Sequence, residues 1–399
     1  MSQHPPRDKR DPLARRKDRH VPPGLRSSAM HAMSARAAAG CFVLQACQDC
    51  GAVTYPPRDA CPRCWGELLW QDQARGALVL CETTIRATTD LYFRDHLPWR
   101  MGKLALDAGP TALAHLHADL KPGDRADMHL MLDKGGNAAL FALPAGGRPD
   151  MDDHQWREFT VPVKDRIVLV SDARSAIGRA VVKALHSAGA GLIFAGMAPP
   201  SRAADLTDEL SGLDRVQTLP FDITDSSLVA EGISKIAGPL DIVINTARFV
   251  RGGRNLVDQK RMMDIAVLGF MRLSAACAPL LAGRPAGAFV DLVSIQALAG
   301  EAGFAGYAAA EAARLSLLHS FRHDMRAQGV RVLSIFSGPS DDEDHQSVPP
   351  PKVAPSRLAR EVVEALHMGR ETTCVGEVAS DAMERWLADP ALFVREKNL

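Results

Sequence analysis

Two Cys-x-x-Cys pairs, Cys47-Gln-Asp-Cys50 and Cys61-Pro-Arg-Cys64, stand ten residues apart in the first part of a 399-residue chain. Each pair can curl so that both sulfurs face one point, and two such knuckles complete the tetrahedral four-thiolate shell that zinc prefers. Gly51 and Pro62 suit the turns this requires. A redox Cys-x-x-Cys is the competing idea, but the two pairs lie close together and no helical pattern follows them, so zinc is favoured. Four thiolates leave no open coordination position, so a metal on Cys47, Cys50, Cys61 and Cys64 is structural. Cys41, Cys81, Cys277 and Cys374 are scattered and read as small buried thiols.

The length implies two or three domains. Lys plus Arg and Asp plus Glu both number 47, so no global field points to nucleic acid as a partner. The balance hides one asymmetry: residues 1 to 26 hold eight Lys/Arg against three Asp and few large apolar side chains, which predicts a disordered basic tail over 1–29. No run of eighteen apolar residues and no signal-peptide core is present, so the expectation is a cytoplasmic protein without a membrane span.

Beyond the knuckles come GELLWQ, GALVLCETTIRA, GKLALD, TALAHLHA, ADMHLML and NAALFALP, broken by AGP and KPGD. Short apolar stretches separated by turn signals predict a small antiparallel barrel of about five strands. With a short helix at about 30–38, the paired Cys motifs, the Pro-Pro-Arg at 56–58 and Arg75-Gly76, the region resembles the rubredoxin-like zinc-ribbon plus OB-fold proteins that accompany thiolase-fold enzymes. That resemblance implies binding of acyl-CoA or docking of a thiolase-type catalytic subunit. A bare OB fold equally suggests single-stranded nucleic acid, but few stacking rings and no local basic excess place that reading lower.

Residues 146–164 read as a polar linker between a zinc ribbon (30–65) with its barrel (66–145) and a third region (165–399). There the pattern changes to alternating strands and helices: IVLV, then RAVVKALHSAGA, GLIFAG, VQTLPFD, DIVINTA, GAFVDLVS and VRVLSIFS, with long helical patterns at 257–282 and 307–327. This predicts a parallel sheet wound on both sides, a Rossmann fold. The fold class is therefore multidomain: zinc ribbon, OB barrel, and doubly wound α/β.

The ordered set SDARSAIG, FDITD, INTAR, Ser294, Tyr307 and SGP resembles the short-chain dehydrogenase/reductase family over essentially all of 165–399. The resemblance implies a catalytic Ser294–Tyr307 pair and an NAD(P) site around Ile177, Gly178, Asp222 and Asn245. It also implies a lysine four residues after the tyrosine, which acidifies the phenol and holds the cofactor ribose. That position is Glu311, and the assisting Asn position is Ala266. Asp172 and Ala176 replace two of the three loop glycines, and Met197 stands where an acidic or basic residue would read the ribose. Reversing a charge beside the tyrosine disfavours phenolate, and Asp172 repels a diphosphate. Ser294 and Tyr307 thus read as a remnant pair, and the NAD(P) site as vestigial, with NAD(P) weak or absent and structural zinc retained. The expectation is a non-catalytic or weakly catalytic subunit of a hetero-oligomer, docking a thiolase-fold enzyme and an active short-chain dehydrogenase. The alternative is an active 3-hydroxyacyl-CoA or 3-oxoacyl-CoA oxidoreductase.

Overall fold

Ser27 opens the first helix, Ser28–Ala38, by accepting the Met30 N–H on its hydroxyl, a side-chain cap for an otherwise orphaned donor. The computed structural model describes residues 20–398 apart from 23, 25–26, 147–149, 151, 200–208, 211 and 237, so the basic stretch at 1–29 lies mostly outside the described residues. Next comes a three-stranded sheet in which β1 (Val43–Cys47) lies between β2 (Val53–Thr54) and β3 (Leu68–Asp72). GELLWQ, expected among the barrel strands, supplies β3 instead. Its Leu68 pairs with Cys47, because the second knuckle ends at Cys64 and delivers the chain to the free edge of β1.

Five strands then close a barrel: β4 (Gly76–Ile85), β5 (Trp99–Leu106), β6 (Thr111–Leu116), β7 (Arg125–Leu132) and β8 (Ala138–Pro144), in the order β4-β5-β6-β8-β7. Only β6 and β8 run parallel. Period-2 alternation turns Ala77, Val79, Leu104, Ala114 and Met128 inward. A short helix, Leu91–Asp95, lies between β4 and β5 and buries Tyr92.

His115 in β6 carries a testable consequence. The residue is half-buried, its ring lies against Phe141 and Phe159, and Nδ1 accepts the Trp99 indole N–H at 2.9 Å. Burial pushes its pKa down to about 4. The unfolded chain binds the proton near pH 6.5 and the folded chain only near 4, so stability falls as pH drops through that window. Melting at pH 5 should show a loss on the order of 2 kcal/mol relative to pH 7, and His115→Asn should flatten that part of the pH profile.

The 146–164 segment is not a loose polar spacer. Asp153 caps the helix His154–Phe159 by accepting the Trp156 N–H, and Trp156 and Phe159 are buried with Trp99 and Phe141. Val161 N donates to Leu366 O at 2.9 Å, and Val161 and Val163 enter the core of the third region. Tyr92 and Lys134 both meet Glu158 Oε2 at 2.6 Å. Asp150 and Asp152 are exposed, while Trp156 and Phe159 behind them form an apolar seam.

The third region holds a seven-stranded parallel sheet, β9 (Ile167–Val170), β10 (Leu192–Met197), β11 (Val216–Pro220), β12 (Ile242–Asn245), β13 (Ala288–Ser294), β14 (Arg331–Ser337) and β15 (Thr372–Val375). Their spatial order is β11-β10-β9-β12-β13-β14-β15. Strands buried on both faces read as continuous apolar runs, as IVLV does. Helices Ala176–Ser187 and Pro355–His367 cover one face; Ser226–Lys235, Leu256–Leu281, Ala305–Arg326 and Glu377–Ala388 cover the other. By length and composition Leu256–Leu281 could cross a membrane, yet it packs Phe270, Leu273 and Cys277 against this sheet. The order reverses between β9 and β12, which opens a crevice at the strands' carboxyl ends.

Candidate functional site

The two knuckles are built alike. Gly51 N donates to Cys47 O at 3.0 Å and Trp65 N to Cys61 O at 2.9 Å, and the residue after each second cysteine, Gly51 or Trp65, adopts a left-handed φ of 69° or 66°. At Gly66 a Cβ would lie 2.0 Å from the carboxylate of Asp49, an exposed side chain able to swing aside, and 3.1 Å from Cys47 Sγ. The four sulfurs lie within 4.8 Å of one another, with Cys47–Cys64 at 3.4 Å and Cys50–Cys61 at 3.7 Å. Zn–S bonds of about 2.3 Å set tetrahedral S···S edges of roughly 3.8 Å, so Cys47, Cys50, Cys61 and Cys64 fit zinc. Arg63 N also donates to Cys61 Sγ, the kind of bond that favours a thiolate ligand.

At the other site β13 ends on Ser294, and the first turns of Ala305–Arg326 bring Tyr307 to the same cavity. Glu311, one turn further, is buried, and its carboxylate points at the strand rather than at solvent. Oε2 accepts Ser294 N at 2.9 Å, while Oε1 meets Arg314 Nη1 at 3.3 Å. Arg314 is 1% exposed and binds Asp291 in β13 through Nε and Nη2, each at 2.8 Å. Asn245 donates to the same Asp291 at 2.8 Å and accepts from Ser171 at 2.9 Å. The lysine position therefore belongs to a buried ion cluster that ties the helix to β13 and, through Asn245, to β12 and β9.

Burial raises the Tyr307 phenol well above its ordinary value; Glu311 adds to the rise, while Arg248, Ser294 and Arg314 pull against it. Tyr307 is therefore held as a neutral donor. Ala266, at the assisting Asn position, is buried in a π-helical stretch, Asp264–Gly269, in contact with the Tyr307 cluster. Arg314 and Asp291 escaped sequence reading. Their signals were a charged residue inside the apolar run FVDLVS and a Glu-x-x-Arg spacing that places two ionic side chains on one helix face.

The nucleotide loop divides along a physical line. Gly178 remains, because a Cβ there would lie 2.0 Å from Asp172 O, so helix and loop require it for packing. Asp172 and Ala176 fill the positions whose glycines would serve a ligand. Arg174 folds back onto Asp172, with Nε and Nη2 at 3.0 and 2.9 Å from its two oxygens. Asp222 accepts from Thr224 N and Oγ1 in a local turn, at 2.9 and 2.7 Å. Ile177 is buried, Met197 is 6% exposed, and Asn245 is spent in the ion cluster. Ser294 and Tyr307 thus come together, whereas Gly178, Asp222 and Asn245 all serve internal contacts.

This combination defines a dinucleotide-type α/β domain carried behind a zinc-knuckle module. Residues 166–349 match the family model for short chain dehydrogenase, and 35–69 match that for the ChsH2, rubredoxin-like zinc ribbon domain. Two separate segments of the chain thus match two family models, a zinc ribbon near the N-terminus and a short chain dehydrogenase beyond it, with the barrel between them. An uncharacterized oxidoreductase of Staphylococcus aureus is 28% identical over 213 residues, covering 51% of this chain and 91% of that protein. Mouse dehydrogenase/reductase SDR family member 7B is 28% identical over 44% of this chain and 58% of its own length. Among solved structures, a Burkholderia cenocepacia short chain dehydrogenase in complex with NADP aligns with a TM-score of 0.53 and 28% identity, covering 58% of this chain and 98% of that one.

Proposed function

We propose that the protein is a non-catalytic or weakly catalytic subunit of an acyl-CoA-processing complex. In this reading the ribbon and barrel dock a thiolase-type enzyme, and the Rossmann domain pairs with an active dehydrogenase. The observation that carries the reading is Glu311: a buried carboxylate committed to Ser294 N and Arg314 replaces the cation that proton transfer through Tyr307 needs. Exposed apolar side chains support docking on both halves. Trp65 (84% exposed), Leu80 and Leu113 lie on the ribbon and barrel, and Leu256, Val257 and Met271 on the long helix. Titration with NADH and NADPH should give no micromolar binding, and 3-oxoacyl-CoA no turnover. Affinity purification from the native host should recover a thiolase-fold protein; recovery of a homo-oligomer alone would count against docking.

A second reading, an active acyl-CoA oxidoreductase, draws on the shared cavity of Ser294 and Tyr307, on Arg248 and on the relatives' naming as oxidoreductases. Arg248, whose charge pulls the Tyr307 phenol down, is a cation that could take over part of the lysine's task. Turnover that Arg248→Ala abolishes would establish this reading over the first.

A further inference from the structure

Two cavities lie along the crevice at the carboxyl ends of the strands. One, about 260 Å³, is lined by Ser294 and Tyr307 together with Ile295, Phe304, Val348 and Val378. The other, about 150 Å³, is lined by Asp172, Arg174, Asp222 and Thr224, the side where the adenine half of a dinucleotide would lie in this fold. They share no lining residue. Val250 and His345 face the first, while their chain neighbours Phe249 and Asp344 face the second. The partition is thus two adjacent backbone segments, one after β12 and one after β14.

The second of these segments is a strap, residues 340–353, pinned where it leaves and rejoins the fold. Asp341 N donates to Val353 O at 2.9 Å, and Val353 N to Pro339 O at 2.8 Å. Across the crevice, Arg251 Nη1 pairs with Asp344 Oδ1 at 3.0 Å, and Arg248 Nη1 reaches Ser340 Oγ at 3.5 Å. Within the strap, Asp342 accepts from Asp344 N and His345 N, both at 3.2 Å, and bonds His345 Nδ1 at 2.8 Å. Ser340, Asp342 and His345 have the side chains of a hydrolytic triad, but Ser340 Oγ and Asp342 meet the same nitrogen, Nδ1. A relay needs the two on opposite nitrogens, so this trio fastens the strap.

We infer that the strap seals the Ser294–Tyr307 cavity from the nucleotide crevice, so that the cavity takes a small, largely apolar carbonyl compound with no nucleotide bound, and that the Arg251–Asp344 pair is its latch. The inference rests on the non-catalytic reading above. Its chemistry follows from the walls: two neutral hydroxyls, on Ser294 and Tyr307, suit a carbonyl oxygen, and apart from Gln296, Glu301, His345 and Lys397 the remaining lining is aliphatic, aromatic or proline. At about 260 Å³ the cavity falls just below the 300–1,000 Å³ that drug-sized ligands occupy, which limits the occupant to a small molecule. The 150 Å³ space is too small for a dinucleotide while the latch is closed.

The test uses the full chain and acetoacetyl-N-acetylcysteamine, a 3-oxo thioester without a nucleotide, followed by calorimetry. The probe should bind in the absence of NADPH. Tyr307→Phe combined with Ser294→Ala should weaken it about tenfold or more while melting as the wild type does, since two hydrogen bonds are lost. Asp344→Ala should raise NADPH affinity about three- to fivefold over the wild type, the effect expected of a partly exposed ion pair. A probe that gives no heat alone, or binds only once NADPH is present, overturns the inference. So does equal NADPH affinity in the wild type and Asp344→Ala. NADPH oxidation in the presence of the probe would instead sink the non-catalytic reading, and the NADPH-free titration would still decide whether the cavity is independent.

Discussion

Glu311→Lys, which restores the residue that short-chain dehydrogenases carry at this position, should destabilise the protein and should not yield an active enzyme. Arg314 already occupies the buried space beside that position. Burial opposes its charge, but Asp291 and Glu311 outweigh that and keep it firmly protonated. Burial likewise raises the Asp291 carboxyl, against the pull of Arg314. A second cation there would face Arg314 across one helical turn with only Asp291 to share, and Ser294 N would lose its acceptor. Breaking a buried ionic arrangement in this way costs about 3–5 kcal/mol. For a domain of this size that lowers the melting temperature by on the order of 10 °C, measurable by circular dichroism. Pairing the change with Arg314→Leu returns the cation count to one and should recover part of the loss. A single variant that melts like the wild type and turns over NADPH would refute this account of the cluster.

Cys61→Ser should abolish zinc binding and unfold the ribbon while leaving the Rossmann domain folded. The strands of the ribbon are five, two and five residues long, too short to hold a sheet by themselves. In zinc-finger peptides the metal supplies about 10–16 kcal/mol at neutral pH, so its loss is not offset by so small a core. Metal analysis should show zinc in the wild type and almost none in the variant. Limited proteolysis should cut within residues 47–64 and spare the parallel sheet. Survival of the ribbon after exhaustive chelation would show that the cysteines hold no structural metal.

Features set by local chemistry could be read from the sequence. The knuckles declare themselves because ligand spacing and turn residues lie within one short stretch, and the alternation of strands and helices in the Rossmann domain shows in its apolar runs. Ser294 and Tyr307 were legible as a pair through the resemblance to short-chain dehydrogenases, and a strand end and a helix start then bring them to one cavity. What stayed hidden depends on who meets whom across the chain. Arg314 carries no mark of its own until Asp291 and Glu311 are seen to close on it. Residues 146–164 begin so polar that Trp156 and Phe159, which bury the seam, look incidental. GELLWQ is a short apolar stretch like those that form the barrel, and only the position of the second knuckle sends it to the edge of β1.

Arg331, the first residue of β14, donates from one nitrogen to Leu132 O in the barrel and to Glu158 O in the intervening helix, at 3.1 and 3.0 Å. A single guanidinium therefore spans all three parts of the chain at a point sealed from solvent. It joins the two halves directly, so in the proposed docking role the protein would act as a fixed spacer rather than as a tethered pair of adaptors. Partners seated on the two halves would be held at one distance and one mutual orientation, so any intermediate passed between them would have to travel a stationary route, with no swinging arm to carry it.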